Sequence, residues 1–380
     1  MLHDDPALID LPHPVRVDGA FGQRMEEALF GADFWAALRP YLGDETLPTE
    51  WILNHAPGVY ELARESSNFP GTVNLGLLSL VLARARLRAH GDPMLQVRPA
   101  LHEQLLATDL GAKLPVGLFQ LPYTMAYIEF GRPSGLTIVN PESGQHEVEG
   151  AYIGSYRVDP HSFIFDKDNR RQHLGLDPDK PTRIIEIVLT GSPHGKTHVL
   201  DDASQNVVLF LQDDDADLGT AIERHFAFYR LPSAGSLPGF VPPDERERTS
   251  FEKAVHQLAK VMLYLNLPEA EQARRPERSE LLRRLRGLGP KKAARLQRKL
   301  ARAYDRIVIG GRREVEGSPG TGMSADPAHG SVRPHWRRGH FRRIRFGEGL
   351  SESRLGWIRP VLVNAAEAFA PVGVKSYEVR

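Results

Sequence analysis

Five short runs rich in β-branched and aromatic residues, all between positions 116 and 229, constrain the fold of this chain more than any other feature. Glycine, proline, asparagine and aspartate separate the runs, which is typical of strands joined by turns. The pattern predicts a mostly antiparallel sheet. The runs are Met125–Phe130, Leu136–Val139, Gly150–Tyr156, Arg183–Leu189 and Val207–Leu211.

The aromatic residues in and beside these runs favour a buried core, because large rings contribute most when they are removed from water. One face of the sheet could instead form a groove for a partner peptide. The residues concerned are Tyr123, Tyr127, Phe130, Tyr152 and Tyr156.

Helices are expected on both sides of the β-rich part. Residues 20–110 predict mainly helices, since Leu75, Leu78 and Leu82 recur at helical intervals. An apolar stripe from Phe251 to Leu265 predicts another helix. The fold class is therefore α+β, with amino-terminal helices and a mostly antiparallel sheet, then a basic helical region and a carboxy-terminal β-hairpin.

Composition suggests four segments along the chain. Leu231–Pro243 is rich in Pro, Gly and Ser and is the first candidate boundary, while residues 314–331 contain too few apolar side chains to order themselves alone. We expect an acidic α+β domain at 1–240, a candidate for binding a protein or peptide. A basic helical region at 241–313, a flexible loop at 314–331 and a basic β-hairpin segment at 332–380 follow.

The formal net charge of zero hides a strong asymmetry along the chain. Residues 274–380 hold 25 of the 48 lysines and arginines but only 10 of the 48 aspartates and glutamates. The preceding part is therefore acidic. Such a division indicates a nucleic acid at one end and a protein partner at the other, or two halves that neutralise each other.

Several classes of protein do not fit the sequence. The chain has no cysteine, which excludes disulfides, thiolate nucleophiles and zinc sites that need sulfur. Arg84, Arg86 and Arg88 interrupt the longest apolar helix, and the first residues do not resemble a secretory signal. P-loop, dinucleotide, nucleophile-elbow and metalloprotease motifs are absent. We expect a cytoplasmic protein with no membrane segment, no cofactor and no metal.

The segment from Arg333 to Gly349 carries six arginines and two histidines, with no acidic residue before Glu348. Arginine guanidinium groups can donate two hydrogen bonds at once to phosphate oxygens, and rings such as Phe341 could stack on unpaired bases. This predicts a nucleic-acid surface, with RNA favoured over DNA, on a hairpin that turns at Gly347–Gly349. A solvated edge whose arginines are salt-bridged to the acidic half is the alternative. The predicted contacts are Arg333, Trp336, Arg337, Arg338, Arg342, Arg343, Arg345 and Trp357, with the two tryptophans as stacking rings or as rings of the hairpin core.

A nuclease is a second interpretation of the same region. His335 and His340 could supply general acid and base groups, but on one strand they point to opposite faces unless the chain bends at Gly339. We therefore favour a structural role for both histidines. A metal-dependent nuclease would need a magnesium site, for which the aspartates between residues 201 and 217 are weak candidates, because acids commonly decorate turns.

A third motif lies at Leu281–Leu296, which matches the helix-hairpin-helix pattern. In that pattern a glycine-containing turn and the lysines after it, here Lys291 and Lys292, grip a phosphate of DNA. A plain helical hairpin fits the same residues equally well.

The residues 335–342, Gly347-x-Gly349 and Arg354-x-x-Trp-Ile-Arg-Pro-x-Leu-Val363 together resemble the ending of a phage- and plasmid-borne family that includes a type V-A anti-CRISPR protein. The apolar helix and the β-rich half are similar in order. The resemblance implies recognition of the nascent amino-terminal segment of a type V Cas nuclease and a lowering of its mRNA. The acidic half would then hold the emerging peptide while the basic end approaches message or ribosome. We expect a regulatory binding protein of a mobile element rather than an enzyme.

Overall fold

The computed structural model describes most of the chain. The described residues are 8–22, 24–66, 75–110, 113–140, 143–159, 170–193, 202–231, 245–286, 288–300, 302–311 and 335–363. The expected loop at 314–331, nearly all of the candidate boundary at 231–243 and the predicted contact Arg333 lie outside them.

A mixed sheet forms the centre of the fold, in the strand order β7-β6-β5-β3-β1-β9-β8, with β4 paired to β5. The β1–β3 and β1–β9 pairs are parallel and the other pairs are antiparallel. The mostly antiparallel sheet is therefore confirmed. The strands are β1 (Met94–Val97), β3 (Met125–Glu129), β4 (Thr137–Asn140), β5 (Gly144–Val158), β6 (Thr182–Gly191), β7 (Ala203–Leu211), β8 (Gln272–Pro276) and β9 (Asp305–Ile309).

Helices cover both faces of this sheet, because successive strand residues point to opposite sides and both sides are apolar. One core contains Tyr127 and the other contains its neighbour Ile128. The helices of the first core are α1 (His13–Phe21), α2 (Met25–Leu38), α3 (Ile52–His55), α4 (Pro57–Ser66) and α5 (Leu75–Ala89). The second core is built mainly by α6 (Pro99–Leu106), α8 (Leu218–Tyr229) and α9 (Glu245–Leu265).

Two further groups of elements complete the described part. Helix α7 (Arg170–Leu174) contacts α8, and the pair α10 (Glu277–Leu285) and α11 (Pro290–Leu300) follows β8 in the chain. The carboxy-terminal strands are β10 (His335–Arg337), β11 (Gly339–Phe346), β12 (Glu352–Ile358) and β13 (Val361–Val363), and the short β2 (Thr108–Asp109) pairs with β11. Together these elements confirm the α+β class.

The five predicted runs correspond to β3, β4, β5, β6 and β7. Tyr127, Phe130, Tyr152 and Tyr156 are all buried, and Tyr123 is partly buried against the core, so the rings fill the interior and line no groove. The expected basic helical region at 241–313 provides α9, α10 and α11 but also β8 and β9. Strand β9 lies between β1 and β8 in the same sheet as the amino-terminal strands.

Helix α5 holds its three arginines between the sheet and the other amino-terminal helices. Arg84 pairs with Asp18 and Asp92, and Arg88 pairs with Asp18 and Glu26. Among the described residues, no helix combines the length and apolarity that crossing a membrane requires.

Arg86 is fully buried in the same layer. Its guanidinium donates to the backbone carbonyls of Leu47 and Asp44 and lies 4.8 Å from the ring centroid of Tyr156. A buried charge needs such partners, because an unpaired one would be strongly destabilising. Of the arginines that interrupt the apolar pattern of α5, Arg84 and Arg86 are therefore part of the packed interior, and Arg88 is half-buried.

Candidate nucleic-acid interface

The carboxy-terminal strands form one hairpin in a single register. His335 lies opposite Val363, His340 lies opposite Ile358, and Phe346 lies opposite Glu352. The turn uses Gly347 and Gly349 in left-handed conformations, with φ of 79° and 62°, which glycine adopts at little cost. The predicted hairpin and its glycine turn are confirmed.

The base of the hairpin is fixed to the second core. Phe341 and Leu355 are 1% and 3% exposed, and the Trp357 ring stacks on Phe341 with centroids 5.9 Å apart. Trp357 also meets the ring of Tyr264 on α9 edge-on at 5.7 Å. Its indole N–H donates to the Thr108 hydroxyl at 3.2 Å. The buried Phe341 and the half-buried Trp357 thus pack together in the hairpin core.

A close approach of three chain segments occurs beneath this base. A Cβ atom at Gly339 would lie 2.7 Å from both the Ile358 carbonyl oxygen and the Thr108 hydroxyl oxygen. Lys260 of α9 is buried below and donates from Nζ to the Thr108 carbonyl at 3.0 Å. Burial, assisted by the charge of Arg338, lowers the pKa of Lys260 to about 8.

Between Leu355 and the Gly347–Gly349 turn, the hairpin is exposed to solvent. Arg342, Arg343, Arg345 and Arg354 are exposed. None of the four makes an ion pair with a carboxylate in the described part of the chain. Positive charge at this end of the hairpin is therefore available to an external anion.

Arg337 and Arg338 lie where β10 gives way to β11. Both are exposed, and the Arg338 side chain retains 75% of its accessible surface although it pairs with Asp109 at 3.0 Å. Arg354 is an exposed arginine of the hairpin that the sequence prediction did not include. Its signal was the glycine turn, which places it opposite Ile344 in the same arginine-rich hairpin.

His340 is half-buried. The strand is interrupted at Arg338, but the side chains of His335 and Trp336 lie outside the described residues. The described side chains therefore supply one imidazole, with the exposed Asp109 of β2 opposite it in the strand register.

The helix-hairpin-helix motif forms a helical hairpin, α10 followed by α11. Lys291 and Lys292 are exposed at the first turn of α11, and Leu281 is buried against the body of the protein. Gly287, one of the turn glycines, lies outside the described residues. The motif thus adds a second basic surface to the carboxy-terminal part.

Comparison with known proteins identifies the family. The model of the AcrVA2-like family, described as the anti-CRISPR type V subtype A2 family, matches residues 95–365. This range is more than half of the chain and includes the whole described hairpin. The chain belongs to the AcrVA2-like family. The resemblance expected from the carboxy-terminal motif is confirmed, and the protein is a member of an anti-CRISPR family.

A solved structure described as the crystal structure of AcrVA2 is also similar to the chain. The two share 14% sequence identity with a TM-score of 0.44, over 87% of this chain and 92% of that one. The search of curated proteins found no match.

A second polar cluster lies at one end of the central sheet of this AcrVA2-like protein. His13, Glu149 and Asp202 are buried, and they are the one described group of ligand atoms close enough to share a metal ion. The His13 imidazole Nε2 is 3.1 Å from the Asp202 carboxylate, and its Nδ1 is 2.8 Å from the Tyr152 hydroxyl. Asp213, Asp214 and Asp215 are exposed, as expected for a solvated loop, whereas Asp202 is not, and Asp201 lies outside the described residues.

The negative charges of the two carboxylates in this cluster are already balanced by arginines. Glu149 accepts hydrogen bonds from Arg16 at 2.6 Å and Ser192 at 2.8 Å, and its other oxygen lies 3.4 Å from Arg132. Burial alone would raise the pKa of Asp202, but His13 and Arg16 outweigh it and hold that pKa below its usual range. Two arginines offset the two carboxylates, so a divalent cation would add uncompensated charge. The cluster fits a role in fixing α1 to the sheet.

Proposed function

We propose that this anti-CRISPR family member is a regulatory binding protein that contacts RNA through the exposed arginines of its carboxy-terminal hairpin. The observation that carries the proposal is that Arg342, Arg343 and Arg345 are exposed and have no carboxylate partner in the described part of the chain. Three neighbouring guanidinium groups repel one another unless an external anion lies between them. A polyphosphate backbone supplies such anions at regular spacing.

The second part of the proposal concerns the target. The family is an anti-CRISPR family of type V subtype A2, so we propose that the acidic region at 1–240 binds a nascent type V Cas polypeptide or a ribosome-associated partner. Contact of the hairpin with RNA would then bring the protein to the message and lower the amount of that mRNA. The excess of acidic residues before residue 274 supports two functionally different ends.

Binding to a labelled RNA of about 20 nucleotides tests the first part. Replacing Arg342, Arg343 and Arg345 by glutamine should weaken binding about 30-fold at low salt and should flatten the dependence of affinity on salt. The matched control replaces three exposed arginines of the amino-terminal part, Arg24, Arg39 and Arg64, and should bind like the parent. Equal affinity of the two triple variants would contradict the proposed site.

The same incubation separates binding from cleavage. The proposal expects retention of full-length RNA with and without magnesium. Loss of full-length RNA would indicate the nuclease alternative, which is metal-dependent if magnesium is required and histidine-based if His335→Ala or His340→Ala abolishes the loss.

The regulatory step is tested in cells that express a tagged type V Cas nuclease beside this protein. Transcript and protein should both fall, and the hairpin triple variant should restore them. Unchanged levels of both would contradict the regulatory step while leaving RNA contact in place.

A second candidate function is DNA binding by the helical hairpin, because Lys291 and Lys292 are exposed beside its turn. Under this alternative the Lys291→Gln, Lys292→Gln variant should lose affinity for duplex DNA. The hairpin triple variant should then retain most of it.

A further inference from the structure

The outer half of the hairpin is a two-stranded ribbon with water on both faces. It consists of Arg342–Phe346 and Glu352–Arg354, and in it only Ile344 is half-buried while the other side chains are exposed. Arg342 to Phe346 span about 13 Å at the usual rise of an antiparallel strand. The ribbon is therefore a projection long enough to enter another molecule.

Its arginines are divided between the two faces. Directly opposite residues share a face, and neighbours along a strand alternate. Arg343 lies opposite Leu355 and Arg345 lies opposite Ser353, on the face that continues from the hairpin core. Arg342 and Arg354 project from the other face.

Single-stranded nucleic acid is usually held by one basic face with exposed aromatic rings on which bases stack. The ribbon does not provide this arrangement, because its one exposed aromatic ring, Phe346, lies at the tip. Phe341 and Trp357 stack on each other at its base, and arginines on both faces could not all reach a strand lying on one of them. In the groove of a double helix, by contrast, phosphates line both walls, so arginines on both faces of an inserted ribbon can contact them.

The size and tip of the ribbon point to the kind of groove. A major groove about 12 Å wide, as in B-form DNA, admits a two-stranded ribbon. The major groove of a regular RNA helix is too narrow for side chains to read, whereas bulges offer unstacked bases. Phe346 and Leu350 are 41% and 59% exposed at the turn, so the tip presents apolar groups that such bases can contact.

We propose that the hairpin inserts into the major groove of an RNA stem that is widened by a bulge, with one pair of arginines on each phosphate wall. This inference rests on the proposed function, because it specifies the RNA that the same arginines bind. Its distinguishing requirement is that both faces of the ribbon contribute.

The test compares four probes of equal nucleotide number by fluorescence anisotropy at fixed salt. They are an RNA stem with a three-nucleotide bulge, a fully paired RNA stem, an unstructured RNA strand and a B-form DNA duplex. The bulged stem should bind at least tenfold more tightly than the paired stem and the single strand. Equal or tighter binding of the single strand or the DNA duplex would overturn the inference.

Two double variants test the two faces on the bulged stem. Arg342→Gln with Arg354→Gln and Arg343→Gln with Arg345→Gln should each weaken binding about tenfold, and each should reduce the salt dependence. Arg39→Gln with Arg64→Gln removes the same charge elsewhere and should change little.

If one of the two double variants binds the bulged stem like the parent, insertion into a groove is wrong, and only RNA contact by the other face remains supported. If no RNA probe binds the parent protein, the proposed function fails and the inference fails with it.

Discussion

Helix α5 and the carboxy-terminal hairpin each place three arginines within five residues, and the two sets have opposite environments. The arginines of α5 are Arg84, Arg86 and Arg88, and each is matched to carboxylates or backbone carbonyls within the amino-terminal half. Those of the outer hairpin are exposed and have no carboxylate partner in the described part of the chain. A count of basic residues treats the two sets alike.

The difference shows that the charge available for binding another molecule depends on whether each arginine already has a partner, and not on the number of arginines. The acidic front half uses part of its negative charge internally, on the arginines of α5, and little of it reaches the hairpin. Arg338 is the exception, since it pairs with Asp109. In the described part of the chain, the salt-bridged alternative that the sequence left open therefore applies to Arg338 and not to Arg342, Arg343, Arg345 or Arg354.

The largest effect on stability is expected for Arg86→Met on α5. The change leaves the carbonyls of Leu47 and Asp44 without their donor in the interior, so the free energy of unfolding should fall by about 3 kcal/mol. Urea denaturation measures it. Arg342→Met on the hairpin should change the same quantity by less than about 0.5 kcal/mol. Similar losses for the two variants would mean that the hairpin arginines are structural too.

Lys260 provides an intermediate case, because it lies inside the protein but beneath the hairpin base. Its pKa of about 8 is below the ordinary value of 10.5, so the unfolded chain binds the proton more strongly than the native protein does above pH 8. Stability from this group therefore increases as the pH rises. Relative to Lys260→Met, the parent should gain about 2 kcal/mol between pH 8 and pH 9.5.

Denaturation of both proteins at several pH values measures this gain. Methionine is the reference because it keeps the length of the side chain and cannot titrate, so other groups cancel in the difference. The window ends below the ordinary pKa of tyrosine, near 10. Parallel stability curves would show that Lys260 does not titrate in this range.

The smallest effect is expected for Arg338→Gln. Its guanidinium already has a partner, and an exposed pair of this kind contributes less than about 1 kcal/mol to stability. Affinity for RNA should fall less than about twofold, against about threefold for the unpaired Arg342→Gln, because only the unpaired charge is fully available to phosphate. Anisotropy titrations at one salt concentration compare the two variants. A larger loss at Arg338 would reverse the distinction between paired and unpaired arginines.

Much of the fold was predictable because its strands are rich in β-branched and aromatic residues and end at turn residues. The strands β3 to β7 and the Gly347–Gly349 turn follow from these local signals. Strands β1, β8 and β9 were not predicted. Strand β8 contains no β-branched or aromatic residue, and the pairing of β1 with β9 joins parts of the chain that no local pattern connects.

The candidate site was predictable only in part, for a related reason. The arginines of the hairpin are visible as a run, but whether each has a partner depends on distant residues such as Asp109. Trp357 was expected either to stack on bases or to fill the hairpin core, and its N–H and ring contact Thr108, Phe341 and Tyr264 in that core. Lys260 lies beside the apolar stripe of α9, and the helical pattern predicts that a single lysine there faces solvent.

The position of β9 affects the order in which this protein can assemble on the ribosome. Strand β1 pairs with β3 early in synthesis, but its other neighbour is β9, more than 200 residues later. Closing so long a loop costs conformational entropy and slows folding, and an unpaired strand edge can pair with the wrong strand in the meantime. The amino-terminal half therefore waits with an open edge until residue 309 has emerged, and a fragment that ends at residue 240 would keep that edge permanently.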